Sequence, residues 1–417
     1  MDVTETAKPP PTTKLLGTCQ QCESPLPLRH PQPGEQALQW ECTQCGRTYL
    51  GILLDDWPAE FQGNVRAVAP PAAAKPSSPL ETDLSRELDA KITQGLSLDL
   101  QPRGRPFAEQ VQSHGAKPYD ARTQRRFIQL IHRTTEQLRG LFSTLAMHGA
   151  AQLDVADSIS RNGLSRVAED RDLLVYVGAT QSWGDFPARH AVRVSMLAMS
   201  VGTALGWDEQ TLLNLGTGCL VHDAGLLSIE SATDVDEQQL SDDDFAEIVK
   251  HPLLTFELLK PYMDRIPAAV RMVAYQMHER CDGSGYPRGY RGSRIHALAK
   301  IAAVAEVFIS LVSTRSNRPA MAPYEALSKI LHDTRDGLFD PQAVRGLLNT
   351  VSLFPIGSHV SLNDGRVGRV IRTTAEEYDR PIVEVWRGDE PPSNPGVIDL
   401  SRRGGLAITG ALAGTGS

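Results

Sequence analysis

The sequence predicts a mainly α protein: a helical bundle, with a small cysteine-bearing module ahead of it and a small all-β domain behind it. Three observations carry this prediction. From Ala121 to about Asn349 apolar residues recur at helical spacing, beginning with Phe127, Ile131, Thr134, Thr135, Leu138, Leu141, Phe142 and Leu145. Ahead of that stretch stand two CxxC pairs, Cys19–Cys22 and Cys42–Cys45. Behind it, after Phe354-Pro355, short β-branched runs alternate with turn residues.

Composition narrows the class. The chain has 417 residues, 41% hydrophobic and 22% charged, as soluble globular proteins do. A net charge of -8 repels polyphosphate partners on average, so general nucleic-acid binding is not expected. No apolar run is long enough to span a bilayer, and no membrane partner is expected. Met1 to Thr13 is polar and proline-rich, without the basic start and apolar core of a secretory signal, which points to the cytoplasm. Six cysteines in so long a chain do not suggest a disulfide scaffold.

Residues 1–14 read as a disordered tail and 15–66 as a compact module. Each CxxC turn brings two thiolates to one side of a cation, and two turns close a tetrahedral zinc site at Cys19, Cys22, Cys42 and Cys45. Four cysteines complete that site, so His30 is not counted as a ligand. Gly46 suits the turn after Cys45, while Trp40 and Tyr49 supply apolar area. So short a module relies on its metal for stability. The pattern resembles a zinc ribbon. It carries few basic residues (Arg29, Arg47 and Arg66), which favours protein contact, with signalling proteins as candidates, or a purely structural role over nucleic-acid binding. Pro70, Pro71, Ala72–Ala74, Pro76 and Pro79 then open a semi-rigid linker, read as 67–119.

The helical domain is read as 120–350. Its first helix, 121–146, packs on the core, with signal transmission or homodimer formation as the other reading. In the next helical run His190, Val194, Leu197, Val201 and Leu205 share one face, so His190 points to the core. Leu212, Leu215, Cys219 and His222 repeat that spacing, and Asp223 follows at the helix end. His251 sits at a helix boundary before Pro252. His278 stands just before the glycine-rich run Asp282-Gly-Ser-Gly-Tyr-Pro287. Glu306 lies in the otherwise apolar Ile301–Ile309, where a carboxylate needs a cation or hydrogen bonds. Any one of these histidines alone reads best as a satisfied core residue. Together, imidazoles and carboxylates without thiolate suit an iron, manganese or zinc-type hydrolytic centre. Cys219 and Cys281 read as small packed side chains.

His222-Asp-Ala-Gly225, followed by His278-Glu-Arg-Cys-Asp-Gly-Ser-Gly-Tyr-Pro287, resembles the HD-GYP domain, a branch of the HD phosphohydrolases. His190 with Arg193-Val194, His251-Pro252, Ala299-Lys-Ile301 and Phe339-Asp-Pro341 extend the resemblance over about 121–349. It implies an all-helical domain with a multinuclear metal centre that hydrolyses cyclic di-GMP. By position it implies metal ligands His190, His222, Asp223, His251, His278 and Glu306, with Asp223 bridging and His222 and Asp223 catalytic. Gly283 and Gly285 would let the backbone approach substrate, Tyr286 and Pro287 would pack beside it, and Arg315 would contact its phosphate, with Arg318 a competitor. Three positions depart from the family pattern. Met277 stands for a histidine, Leu226 for a lysine and Glu306 for an aspartate; near His190, Phe186 stands where a further acid is expected beside Asp185. The expectation is therefore one or two iron or manganese ions and a phosphodiesterase of reduced activity. The alternative is a catalytically degenerate domain that binds a nucleotide or protein.

Residues 355–410 read as a small all-β domain with strands in 360–362, 367–371 and 382–386 and a tight Asp364-Gly365 turn, and they resemble the small barrel-like tail found after some HD-GYP domains.

Overall fold

The computed structural model describes four short strands near the N-terminus and residues 104–119, 121–147, 151–180, 187–229, 246–314, 320–374, 377–388 and 395–412. The chain divides into two units, Met1–Lys75 and Pro76–Ser417. In the first, β1 (Leu15–Thr18) pairs antiparallel with β2 (Pro25–Pro27), and β3 (Ala37–Glu41) with β4 (Thr48–Ile52). Trp40 stands opposite Tyr49 in the second register. Cys19 and Cys22 fall between β1 and β2 in sequence, and Cys42 and Cys45 between β3 and β4; all four lie outside the described residues, as does the tail 1–14.

The second unit holds helices α1 (Ala121–Ala146), α2 (Asp154–Thr180), α3 (Ala188–Ala204), α4 (Glu209–Val221), α5 (His251–Leu259), α6 (Ala268–Gln276), α7 (Ala297–Leu311), α8 (Pro323–Arg335) and α9 (Pro341–Val351). The stripe predicted on α1 is buried from Phe127 to Leu145. Helix α3 is central and packs on α1, α2, α4, α7 and α9. Its residues 188–203 are all buried, so its inward face is the whole helix rather than one stripe. Asp208 starts α4 by accepting from the Thr211 amide, and Asp340 starts α9 by accepting from Gln342 and Ala343. Helix α2 breaks at Asp170 (φ -159, ψ 91), whose carboxylate accepts from the Leu173 amide and so caps the second half.

The predicted linker needs correcting at its C-terminal end. Residues 104–119 pack on the bundle: Phe107 is buried, its amide donates to Trp207 O, and Gln112 N donates to Ala168 O. Apolar and backbone groups that the proline-rich texture hid make these contacts.

The C-terminal sheet is antiparallel in the order β8-β7-β6-β5-β9: β5 (His359–Leu362), β6 (Val367–Arg372), β7 (Ile382–Trp386), β8 (Gly396–Asp399) and β9 (Ile408–Ala411). The Asp364-Gly365 turn forms with Gly365 at φ 80. The sheet is open, with no pairing of β8 to β9 among the described residues, so the barrel-like expectation is corrected. β8 and β9 went unpredicted because they are short and half-exposed. Nor is the sheet a free appendage. Arg372 Nη1 lies 2.6 Å from Asp170 Oδ1 and its Nε donates to Lys117 O, while its guanidinium covers Tyr119. Among the described residues no helix is long and apolar enough to cross a membrane.

Candidate metal centre

Four helix ends converge to build the site. α4 terminates at His222, a 3-10 turn (Ala224–Ser228) follows Asp223, α5 begins at His251, and α6 ends just before Met277-His278. Gly225 permits this convergence. A Cβ there would lie 2.2 Å from His251 O and 2.5 Å from Thr255 N, so only glycine lets the 224–228 turn lie on α5. Thr255 Oγ1 bridges the contact, accepting from Gly225 N (2.9 Å) and donating to His222 O (2.8 Å). Thr255 was not singled out in the sequence; its only signal is its place one turn after His251.

All six predicted ligand residues come together, and all are buried. Two groups each offer three ligand atoms close enough to hold a cation: His190 with His222 and Asp223, and Asp223 with His251 and His278. Asp223 belongs to both. Its Oδ1 lies 3.0 Å from His222 Nε2 and 3.4 Å from His251 Nε2, and His251 Nε2 lies 3.0 Å from His278 Nε2. Glu306 adjoins the first group, with Oε1 3.8 Å from His190 Nε2.

Backbone carbonyls select the tautomers. His222 Nδ1 is 2.7 Å from Cys219 O and His251 Nδ1 is 2.8 Å from Ile248 O, three residues back in each case. Each Nδ1–H donates to its carbonyl, which points Nε2 at the cluster. His222 Nε2 is buried with no hydrogen-bond partner, although the Asp223 carboxylate is in contact. An imidazole nitrogen this close to a carboxylate requires positive charge between them, which a proton supplies or, in its place, a divalent cation. The donor set of imidazole and carboxylate fits such an ion.

Electrostatics agree. Burial alone would raise the Asp223 carboxyl, but the neighbouring imidazoles, His222 first, outweigh it and hold the group well below the ordinary carboxylate range. Burial alone would lower His222, yet the Asp223 charge wins and His222 titrates above its ordinary value. Burial pushes His251 down to about 4 and His278 well below the imidazole range, with His251 and His222 adding to the second shift. Neutral His251 and His278 beside an ionised Asp223 are in the protonation states that ligate metal, whereas His222 must release a proton to do so.

The glycine-rich run forms one wall. Tyr286 stacks on His278 at 4.9 Å with rings 7° apart, and its amide donates to His278 O. Gly283 has φ 83. A Cβ on Gly285 would lie 2.4 Å from both Arg280 N and His278 O, so Gly285 approaches the chain's own backbone. Glu279, given no role from the sequence, closes the run by accepting from Arg288 N and Tyr290 N, each at 2.9 Å. Burial pushes its carboxyl up to about 7. Pro287 follows Tyr286 in the same run through a cis peptide bond. Met277 is packed in the hydrophobic core, and Leu226 is buried in the 224–228 turn. Arg315, Arg318, Asp185 and Phe186 lie outside the described residues.

Residues 181–343 match the family model described as HD domain. The cyclic di-GMP phosphodiesterase PA4108 of Pseudomonas aeruginosa is 27% identical over 261 residues, 62% of this chain and 61% of that protein. The cyclic di-GMP phosphodiesterase response regulator RpfG of Xanthomonas campestris pv. campestris is 30% identical over 221 residues, 52% of this chain and 55% of that protein. The 3'3'-cGAMP-specific phosphodiesterase 3 of Vibrio cholerae is 26% identical over 170 residues, 41% of this chain and 36% of that protein. The chain thus spans less than two thirds of each of these relatives. Among solved structures, the HDG"Y"P protein Bd1817 of Bdellovibrio bacteriovorus aligns over 74% of this chain and 92% of its own at 16% identity and TM-score 0.45.

Proposed function

We propose that this chain is a metal-dependent phosphodiesterase that hydrolyses a cyclic dinucleotide, cyclic di-GMP first among them. The observation that carries the reading is the pair of three-ligand groups sharing Asp223. The names of the curated relatives, cyclic di-GMP and 3'3'-cGAMP phosphodiesterases, support the substrate class. His190, His222 and Asp223 would hold one cation and Asp223, His251 and His278 a second, with Glu306 beside the first. The absence of thiolate from the donor set favours iron or manganese. When bound, paired divalent cations supply Lewis-acid polarisation of a phosphodiester and a water acidic enough to attack near neutral pH.

The chain's own residues prepare that chemistry. The Cys219 and Ile248 carbonyls hold two imidazoles with Nε2 inward. Burial keeps His251 and His278 unprotonated near neutral pH. Tyr286, stacked on His278, offers a ring face beside the centre, and Pro287 follows it. Arg315 is proposed for substrate phosphate. Position 277 brings a core methionine where a second imidazole would stand, and Leu226 offers no donor; both favour reduced activity. For the N-terminal unit, a four-cysteine zinc site is proposed. Two antiparallel strand pairs, each with a CxxC in its connecting segment, support it.

Purified chain, loaded anaerobically with Fe2+ or Mn2+ and given cyclic di-GMP, should form linear or mononucleotide product. Asp223→Asn should abolish it. Absence of any Asp223-dependent product would remove the enzymatic reading.

A further inference from the structure

Glu306 is the one predicted ligand that falls in neither three-ligand group. It sits on α7 among Ala302, Ala303, Val304, Ala305, Phe308 and Ile309, all buried, where a carboxylate needs compensating charge. Its two oxygens face different partners. Oε1 looks at His190, and Oε2 lies 3.8 Å from Arg280 Nη2. Arg280 does not wander to this position from solvent. Its guanidinium lies 5.2 Å from the Phe339 ring centroid, and Nη1 donates to Glu279 O at 3.0 Å and approaches Met277 O at 3.4 Å. The ring beneath it is fixed in turn, because the preceding residue, Leu338, accepts the Cys281 amide at 2.9 Å. A fixed cation therefore draws one oxygen of Glu306 away from the imidazoles.

We propose that Arg280 is a positioning residue that restrains the affinity of this centre for divalent cations by engaging Oε2 of Glu306. The proposal rests on the metal-dependent reading above. With Oε2 turned to the guanidinium, Glu306 can present only Oε1 to the His190 side. Removal of the guanidinium should free Oε2 and tighten metal binding. A purely structural role for Arg280 predicts the opposite, since loosening the 277–281 segment would disperse His278 and weaken binding.

The test is a Mn2+ titration of the full-length protein by equilibrium dialysis, with circular dichroism to confirm folding. Arg280→Gln and Arg280→Met, the latter keeping an apolar stem on Phe339, are each expected to lower the Mn2+ Kd by about tenfold or more. Arg280→Lys keeps the charge and should stay within about threefold of wild type. In the Glu306→Gln background, Arg280→Gln should recover less than about a third of its gain, because the carboxylate that carries the effect is gone. Unchanged or weakened binding in folded Arg280→Gln or Arg280→Met overturns the proposal. So does a gain that persists in full without Glu306. Wild-type protein that binds no Mn2+ would instead overturn the metal-dependent reading, and this inference with it.

Discussion

Replacing Gly225 by alanine adds one methyl group at the tightest contact of the centre. The new Cβ would lie 2.2 Å from His251 O, 2.5 Å from Thr255 N and 2.9 Å from Thr255 Oγ1. Two of these are backbone atoms of α5 and cannot rotate away. To reach ordinary contact at about 3.4 Å the 224–228 turn must retreat by about 1.2 Å, in an interior packed as tightly as a crystal. That retreat opens the Gly225 N to Thr255 Oγ1 bond and the Thr255 Oγ1 to His222 O bond, 2.9 and 2.8 Å in the native fold. It also widens the 3.4 Å separation of His251 Nε2 from Asp223 Oδ1. Overpacking costs about 1–3 kcal/mol, and each lost hydrogen bond about 0.5–1.5 kcal/mol. The expected total is about 2–6 kcal/mol, read as a lower urea midpoint at unchanged slope. Mn2+ affinity should fall by about a hundredfold, since a displacement near 1 Å misaligns ligands from both three-ligand groups. Gly140→Ala is the control: the glycine is exposed on α1 with nothing within 4 Å, and alanine there should add about 0.5–1 kcal/mol. A Gly225→Ala protein with wild-type midpoint and wild-type Mn2+ affinity would refute the packing argument.

Three further outcomes follow from individual groups. Arg372→Met leaves the buried Asp170 carboxylate, 2.6 Å from the lost guanidinium, without its charge partner and should destabilise the protein by about 3–5 kcal/mol in urea unfolding; Asp170→Asn with Arg372→Met should recover part of that loss. Glu279 titrates upward to about 7 in the fold against an ordinary 4.5, so its contribution to stability is fully present below about pH 4.5 and is lost as the pH rises through about 7. Glu279→Gln should flatten that part of the stability profile, measured by thermal melts from pH 4 to 8. His222 titrates above its ordinary value, so Mn2+ must displace a proton from it near neutrality; affinity should fall as the pH drops through that raised value, and calorimetry in buffers of different ionisation enthalpy should show proton release. The zinc proposal has its own check: Cys42→Ser should lower the zinc content of the purified chain, and unchanged zinc would remove it.

Much of the site was legible because its chemistry is spelled by residue type. Inward histidines at helical spacing and one carboxylate in an apolar helix are expensive unless they share a cation, and all six residues do converge. What stayed hidden depends on geometry between segments. Thr255 and Gly225 matter through a backbone approach that spacing cannot reveal. Glu279 carries no metal-ligand signal, because its partners are main-chain amides. The three strong strands, β5, β6 and β7, were readable from β-branched alternation, whereas β8 and β9 exist because β7 and β5 offer them edges. The stretch 104–119 looked like linker because its ties are single contacts, Phe107 and Tyr119 among them, rather than a periodic stripe.

The central claim is that one carboxylate, Asp223, serves two cations. The direct measurement is Mn2+ stoichiometry by equilibrium dialysis with elemental analysis, corrected for zinc. Wild type should bind two ions outside the N-terminal unit, His190→Ala and His251→Ala one each, and Asp223→Asn neither. Two ions retained by His251→Ala, or full binding by folded Asp223→Asn, would contradict it.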